Sequence, residues 1–206
     1  MNKAYIFCNN NYKDFNLNIK LDGHIIAADG GANFLYTQKI TPDVIIGDLD
    51  SIKNSVLSHF DNANIFKYSS EKDESDTELA IRYCHENNYE DITIINATGA
   101  DLSHSLSNIF VIEKYLNDSK FHLYNRNCIV HYVSKEIKIN SNIDNKISLV
   151  PLSDSVFVTE TSGLKYALNN ENIYRAGSRG ISNKAEDNEI FVKIKNGILL
   201  LIVKRN

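Results

Sequence analysis

Ile25-Ile-Ala-Ala-Asp-Gly-Gly-Ala-Asn33 and, soon after it, Val44-Ile-Ile-Gly-Asp-Leu-Asp-Ser51 set the pattern for the first half of this chain. In each, a short apolar run ends in a polar turn that carries glycine and carboxylate. The runs are rich in Ile, Val and Ala and too short for helices, so they read as strands buried on both faces. Working outward, the same unit recurs. Residues 5–8 form an earlier run, 65–68 lead through a short loop into Lys72-Asp-Glu-Ser-Asp76, and 92–95 run straight into Asn96-Ala-Thr-Gly99. Helical segments are expected between them at 31–38, 52–60, 76–88 and roughly 103–117. The third opens on Ser75-Asp-Thr-Glu78, a capping-box pattern in which Ser75 bonds the third amide and Glu78 reaches back. Strands alternating with helices predict an open, mostly parallel sheet.

Beyond residue 125 the pattern changes. Segments 128–134, 136–139, 146–150, 155–160, 190–195 and 198–203 read as closely spaced strands, several with polar and apolar residues alternating. Lys195-Asn-Gly197 reads as a hairpin turn. The expected fold is thus an α/β N-terminal domain over 1–125, built on an open mostly parallel sheet, followed by a smaller all-β sandwich domain over 126–206.

Composition narrows the function classes. The net charge is -4, which leaves no basic footprint for nucleic acid or an anionic membrane. Three widely spaced cysteines, Cys8, Cys84 and Cys128, form no C-x-x-C pair and indicate neither a disulfide framework nor a zinc site. No stretch approaches the roughly 20 apolar residues of a membrane span. The expectation is a cytoplasmic protein. Nine glycines and two prolines in 206 residues fall below the average usage of about 7% and about 5%. Gly30, Gly31, Gly47 and Gly99 nevertheless sit in the polar turns that follow the apolar runs, which suggests close backbone approach to a ligand.

In an open parallel sheet, ligands bind outside the carboxyl ends of the strands. The turns at 29–33, 47–51, 72–76 and 96–99 all fall on that edge. Asp48 and Asp50 flank a single residue, and Asp73 and Asp76 stand together at a helix start. Such a set repels itself unless a cation joins it, and all-oxygen ligands suit Mg²⁺ or Mn²⁺. The alternative for Asp76 and Glu78 is simply to complement the helix dipole. Asp29-Gly-Gly-Ala-Asn33 has the form of a strand-to-helix turn that approaches phosphate, or of a tight turn with no ligand. There is no G-x-x-x-x-G-K-[ST] loop and no G-x-G-x-x-G fingerprint.

Taken together these residues resemble the thiamine pyrophosphokinase family. Ala28-Asp-Gly-Gly-Ala-Asn33, Pro42-Asp-Val-Ile-Ile-Gly-Asp-Leu-Asp-Ser51 and Lys72-Asp-Glu-Ser-Asp-Thr-Glu-Leu-Ala80 are similar to that family's elements, with Ser75 in place of Thr. So are Gly163-Leu-Lys-Tyr166 and Gly177-Ser-Arg-Gly-Ile-Ser-Asn183. The resemblance implies transfer of the diphosphate of ATP to the thiamine hydroxyl, with Mg²⁺, by a homodimer. It implies metal binding and catalysis by Asp48, Asp50 and Asp73, with Asp76 beside them, any one of these four accepting the hydroxyl proton. It further implies a nucleotide site of Asp29, Gly30, Gly31, Asn33, Lys72, Thr98, Gly99, His104 and Asn108, and thiamine contacts from Ser178, Arg179, Ser182 and Asn183. Thiamine would lie between one β domain and the partner's α/β domain. A weakly catalytic binding homologue and a diphosphokinase for another hydroxymethyl heterocycle, such as a pterin, are the competing expectations. One departure stands out. Gly99-Ala-Asp-Leu-Ser-His104-Ser-Leu-Ser-Asn108 carries Ala100, Asp101 and Ser103 where the family tends to have Gly, Arg and Asp. Ser103 is the expected N-cap of the next helix.

Overall fold

The computed structural model describes residues 2–10 and 15–205. It divides into two compact units, Met1–Arg126 and Asn127–Asn206.

In the first unit the apolar runs form strands and the segments between them coil. The elements are β1 (Lys3–Phe7), β2 (His24–Ala28), α1 (Gly31–Gln38), β3 (Val44–Gly47), α2 (Asn54–His59) and β4 (Asn64–Lys67). After these come α3 (Asp76–Glu86), β5 (Asp91–Ile95), α4 (Leu102–Phe110), a 3-10 turn at Val111–Tyr115 and β6 (Lys120–Tyr124). The strands pair in parallel in the order β6-β5-β1-β2-β3-β4. Successive residues such as Ile6 and Phe7, or Ile45 and Ile46, are both buried. Side chains alternate across a strand, so both faces of the central strands are covered. Strand β4 lies at the edge and is exposed along its length. Strand β6 was not expected. Its Lys120-Phe-His-Leu-Tyr124 alternates in a way that pairing with β5 fixes only after folding.

The second unit holds β7 (Cys128–Val133), β8 (Glu136–Asn140), β9 (Lys146–Pro151), β10 (Ser155–Ser162), β11 (Glu171–Tyr174), β12 (Asn183–Lys184), β13 (Glu189–Asn196) and β14 (Leu199–Lys204). They make two antiparallel layers in the orders β12-β9-β14-β7 and β11-β10-β13-β8. Inward side chains of both layers, among them Leu149, Leu199, Leu201, Val156, Ile190 and Val192, form one core. This is the expected sandwich, with β11 and β12 added. The turn at Asn196-Gly197 is not a hairpin. Strand β13 belongs to one layer and β14 to the other, so the turn carries the chain across the sandwich, with Gly197 at φ +80 and Asn196 Oδ1 accepting from the Phe157 amide at 2.9 Å.

Candidate functional site

The order of strands sets where a site can form. The chain steps outward from β1 through β2 and β3 to β4, then crosses back to place β5 on the other side of β1. Loops diverge at that reversal and leave a crevice at the carboxyl ends of the strands. A cavity of about 410 Å³ occupies it. All four turns singled out from sequence contribute to its wall, and a fifth segment joins them: Cys8, Asn9 and Asn10, which follow β1. Sequence reading overlooked these three. Their position after an apolar run on the same edge was the available signal.

The β2–α1 turn is built around Asp29, whose amide donates to the Ile46 carbonyl at 2.8 Å and whose φ is 44. The left-handed region is uncommon outside glycine, though aspartate is among the residues that tolerate it. Asp29 is 3% exposed. Its Oδ2 accepts a long hydrogen bond from Asn9 Nδ2 at 3.5 Å, and its buried Oδ1 finds no hydrogen-bond partner among the described residues. Burial pushes the carboxyl up from its ordinary value, and the negative charges of Asp76 and Asp50 push the same way. The Gly30 amide and Ser51 hydroxyl pull down.

Strand pairing brings this group to the turn after β3. Ala28 sits opposite Ile46 in the register, so the two turns emerge side by side. In the second turn Leu49 takes φ 71 between the two acids, the Asp50 amide donates to Asp48 Oδ1 at 3.2 Å, and Ser51 Oγ donates to Asp50 Oδ1 at 2.9 Å. One carboxylate oxygen from each of Asp29, Asp48 and Asp50 lies within 4.8 Å of the others. Of the expected set Asp48, Asp50 and Asp73, the structure groups the first two, with Asp29 beside them in place of Asp73. Asp29 is the third member, because its strand neighbours β3. Asp73 hangs on the loop between β4 and α3 and lies neither in this cluster nor on the cavity wall. An all-oxygen donor set with one buried, unsatisfied oxygen fits a hard divalent cation.

Asp76 does reach the cavity, from the first turn of α3. Ser75 caps that helix by accepting from the Glu78 amide at 3.2 Å, as expected. Glu78, however, directs its carboxylate to Lys114 Nζ at 2.6 Å. Lys72 Nζ stands 3.1 Å from Asp76 Oδ1 and 4.0 Å from Asp48 Oδ2, both as ion pairs. Thr77 donates to Cys8 Sγ at 3.5 Å. Burial pushes the Cys8 thiol up to about 12, so this cysteine stays protonated at the cavity wall.

On the β5 side, His104 and Asn108 line the cavity. Asn108 Nδ2 donates to the Ala97 carbonyl at 2.8 Å, holding the turn to α4. Thr98 and Gly99 are not on the wall. Their amides donate to Asn125 Oδ1 at 3.2 Å and Ser105 Oγ at 3.0 Å. The N-cap of α4 is Asp101 rather than Ser103. Asp101 Oδ1 accepts from the His104 amide at 3.1 Å and from Ser103 Oγ at 2.6 Å. Those two hydrogen bonds hold its carboxyl below the usual range.

Asn33, expected on the nucleotide site, instead braces the acidic turn. Its Nδ2 donates to the Ser51 carbonyl at 2.8 Å and its Oδ1 accepts from the Lys53 amide at 3.1 Å. Gly30 and Gly31 also have a different reason from the one expected. A Cβ on Gly31 would lie 2.0 Å from the Phe7 carbonyl oxygen, and one on Gly30 would lie 2.3 Å from Asn9 Oδ1. Glycine at 31 lets α1 start against the β1 backbone, and glycine at 30 leaves room for the Asn9 side chain.

In the second unit the two motifs meet. Asn183 is 1% exposed; its Oδ1 accepts from the Tyr166 and Lys184 amides at 3.0 and 2.9 Å, and its Nδ2 donates to the Tyr166 carbonyl at 2.7 Å. It fastens one motif to the other and offers little surface to a ligand. Arg179 places its guanidinium on Glu171 at 3.0 and 3.1 Å. Ser182 takes φ 58 and its amide donates to Ser148 Oγ at 3.2 Å, while the exposed Ser178 accepts from the Ile181 amide at 3.3 Å. The large apolar side chains exposed in the two motifs are Tyr166 and Ile181.

Fold and site together define an open α/β protein with an acidic crevice at its strand reversal, joined to a β-sandwich unit. The family described as thiamin pyrophosphokinase, catalytic domain, matches residues 15–124, and that described as thiamin pyrophosphokinase, vitamin B1 binding domain, matches 134–199. The chain belongs to the thiamine pyrophosphokinase family. It is 29% identical over 182 residues to thiamine pyrophosphokinase of Bacillus subtilis, covering 86% of this chain and 85% of that protein. It is 27% identical over 205 residues to thiamine pyrophosphokinase 1 of Arabidopsis thaliana, covering 86% and 76%. Its fold matches the crystal structure of the Bacillus subtilis thiamine pyrophosphokinase with a TM-score of 0.88 at 24% identity over 99% of both chains. Among the described residues, no helix is long and apolar enough to cross a membrane.

Proposed function

We propose that this chain is a thiamine diphosphokinase: the primary hydroxyl of thiamine attacks the β-phosphorus of ATP, the bond to the α-phosphate oxygen breaks, and thiamine diphosphate and AMP leave. The single observation that carries this reading is the group of Asp29, Asp48 and Asp50 at the strand reversal, with the buried Asp29 Oδ1 lacking a hydrogen-bond partner among the described residues, in a chain matched by both family domains.

Such a transfer needs orientation and charge neutralisation more than covalent chemistry. Asp29, Asp48 and Asp50 would hold Mg²⁺, which when bound offsets charge on phosphate oxygens. Lys72, tethered between Asp76 and Asp48, is placed to meet a phosphate by exchanging one of those carboxylates for it. Asn33 keeps the turn at Asp48 and Asp50 in register through Ser51 and Lys53. A homodimer is part of the same proposal and is read by light scattering on the purified chain.

The test is product analysis. Purified protein with ATP, Mg²⁺ and thiamine should release AMP and thiamine diphosphate in equal amounts, with no AMP above background when thiamine or Mg²⁺ is left out. Asp48→Ala should lower the rate at least a hundredfold, in line with losing one preorganised electrostatic group. Absence of thiamine diphosphate under saturating conditions overturns the proposal, and so does faster transfer to a hydroxymethylpterin offered in competition.

A further inference from the structure

A row of lysines crosses one layer of the second unit. Lys184 in β12 stands directly opposite Lys146 in β9. On the other side of β9, Val203 of β14 faces Ile147, and this register sets Lys204 opposite Lys146. Ile147 and Val203 lie in the core between the layers, so the residues next to them turn to the outer face, where Lys146, Lys184 and Lys204 are all exposed. Adjacent strands are about 4.8 Å apart, which puts the three stems on a line about 10 Å long.

Like charges set directly opposite each other destabilise a sheet. The other layer of the same unit avoids this: Lys193 is opposite Glu136 and pairs with it at 3.1 Å, and Lys138 reaches Glu189 at 2.7 Å. Lys146, Lys184 and Lys204 have no ion-pair partner among the described residues, and neither Asp144 nor Glu186, the acids nearest to them along the chain, reaches them. Lys165 adds to the same charge. Its amide donates to the Lys184 carbonyl at 2.9 Å, and its ammonium lies 5.7 Å from the centre of the Tyr166 ring. In a chain of net charge -4 this is a local excess of one sign, whose complement has to come from outside the fold.

The direction of the row decides the kind of anion. It runs across the strands, inward from the sheet edge at β12. An acidic peptide added at that edge would run along β12 and place its carboxylates one behind another, with Lys184 alone beside it. A linear chain of phosphates laid across the strands meets all three lysines, and the lysine ammonium is a common phosphate binder.

We propose that Lys146, Lys184 and Lys204 form a binding site for an oligophosphate anion on the outer face of the second unit. The site shares no residue with the acidic crevice of the first unit. It takes the phosphate chain itself, either free as inorganic triphosphate or as the tail of a nucleotide.

Calorimetric titration of the full chain with sodium tripolyphosphate, in EDTA at low salt, reads this site, because without a divalent cation the carboxylates of the crevice repel the anion. One equivalent should bind, and more weakly as salt rises. Lys146→Gln, at the middle of the row, should weaken binding about tenfold, the effect of one cation on several phosphate charges under near-aqueous screening. Substituting all three lysines by glutamine should abolish it, and if that protein folds poorly the three single variants are read separately. Without anion, Lys146→Gln should melt above wild type, since a cross-strand repulsion is relieved. ATP in EDTA should displace tripolyphosphate from the same equivalent: equal affinity assigns the bare phosphate chain, and tighter binding that Lys146→Gln still weakens assigns a nucleotide. Tripolyphosphate bound equally well by wild type and Lys146→Gln, or not bound by wild type, overturns the proposal. So does a hexaglutamate peptide that binds as tightly, which would make the row a docking surface for acidic protein. None of these outcomes depends on thiamine diphosphate formation, which is assayed with Mg²⁺.

Discussion

Replacing Asp29 by asparagine tests the site through stability and not only through activity. The side chain keeps its shape and loses its charge. In the protein without metal, an ionised Asp29 is buried and has carboxylate oxygens of Asp48 and Asp50 within 4.8 Å. Each unit-charge repulsion at that distance amounts to about 1 kcal/mol under water-like screening and about 3 kcal/mol at an effective dielectric constant near 20. Because Asp48 and Asp50 are partly solvated, the lower figure applies, and relief of both repulsions totals about 2 kcal/mol. Part of that is offset by leaving an amide imperfectly bonded where a carboxylate stood. The net expectation is that Asp29→Asn is more stable than wild type in EDTA by about 1 kcal/mol, a rise of roughly 2–4 °C in Tm for a chain of this size. Mn²⁺ should reverse the order, since it stabilises wild type by mass action and meets a neutral amide oxygen in place of a charged carboxylate in the variant.

The pH dependence follows from the sign of the shift. Burial raises the folded-state pKa of Asp29 above its ordinary 3.8. Between those two values the native state binds more protons than the unfolded one, so stability falls as pH rises through the window and stays lower at neutrality. Asp29→Asn should flatten this part of the profile measured in EDTA. Differential scanning fluorimetry with EDTA and with Mn²⁺, from pH 4 to pH 8, reads both effects. A variant that melts below wild type in EDTA, or that keeps the full Mn²⁺ increment, would show that Asp29 is a structural turn residue and refute the reasoning.

Gly31→Ala puts a Cβ 2.0 Å from the Phe7 carbonyl oxygen, and since that neighbour is backbone in a central strand, a loss of about 3 kcal/mol is expected; urea denaturation checks it. Asn183→Ala removes two hydrogen bonds that join the two motifs of the second unit through Tyr166, and one to the adjacent Lys184 amide, at about 1 kcal/mol each. It should lower the Tm and raise the KM for thiamine more than it lowers kcat, because the loop bearing Tyr166 is untied. The Cys8 thiol, held near 12 by burial, should resist iodoacetamide at pH 8 in the native protein and react once it is unfolded, as peptide mass mapping will show.

Much of this molecule is legible in the order of its residues. Short runs of Ile, Val and Ala can only satisfy their backbone groups as strands in a covered sheet, and helices between them make that sheet parallel. Ligand-facing turns must then lie at the carboxyl ends, which is where Asp29, Asp48, Asp76 and His104 stand. Ser75 could be assigned as a cap from its neighbours along the chain, because capping is local. These features depend on spacing of a few residues, and spacing is written in sequence.

Tertiary structure decided which polar groups remain available. The register that sets Ala28 beside Ile46 makes Asp29, and not Asp73, the partner of Asp48 and Asp50. Asn33 and Asn183 looked like ligand contacts, yet each spans a gap between segments and uses its amide there. Gly31, where α1 begins, answers to the backbone of β1, and Gly30 to the Asn9 side chain. Asp101, which reads as a lost arginine, is the cap of α4 and a wall of the cavity at once. A side chain that can both brace and bind has its role settled by which groups folding brings into hydrogen-bond reach, and that is a property of chain crossings which no local pattern records.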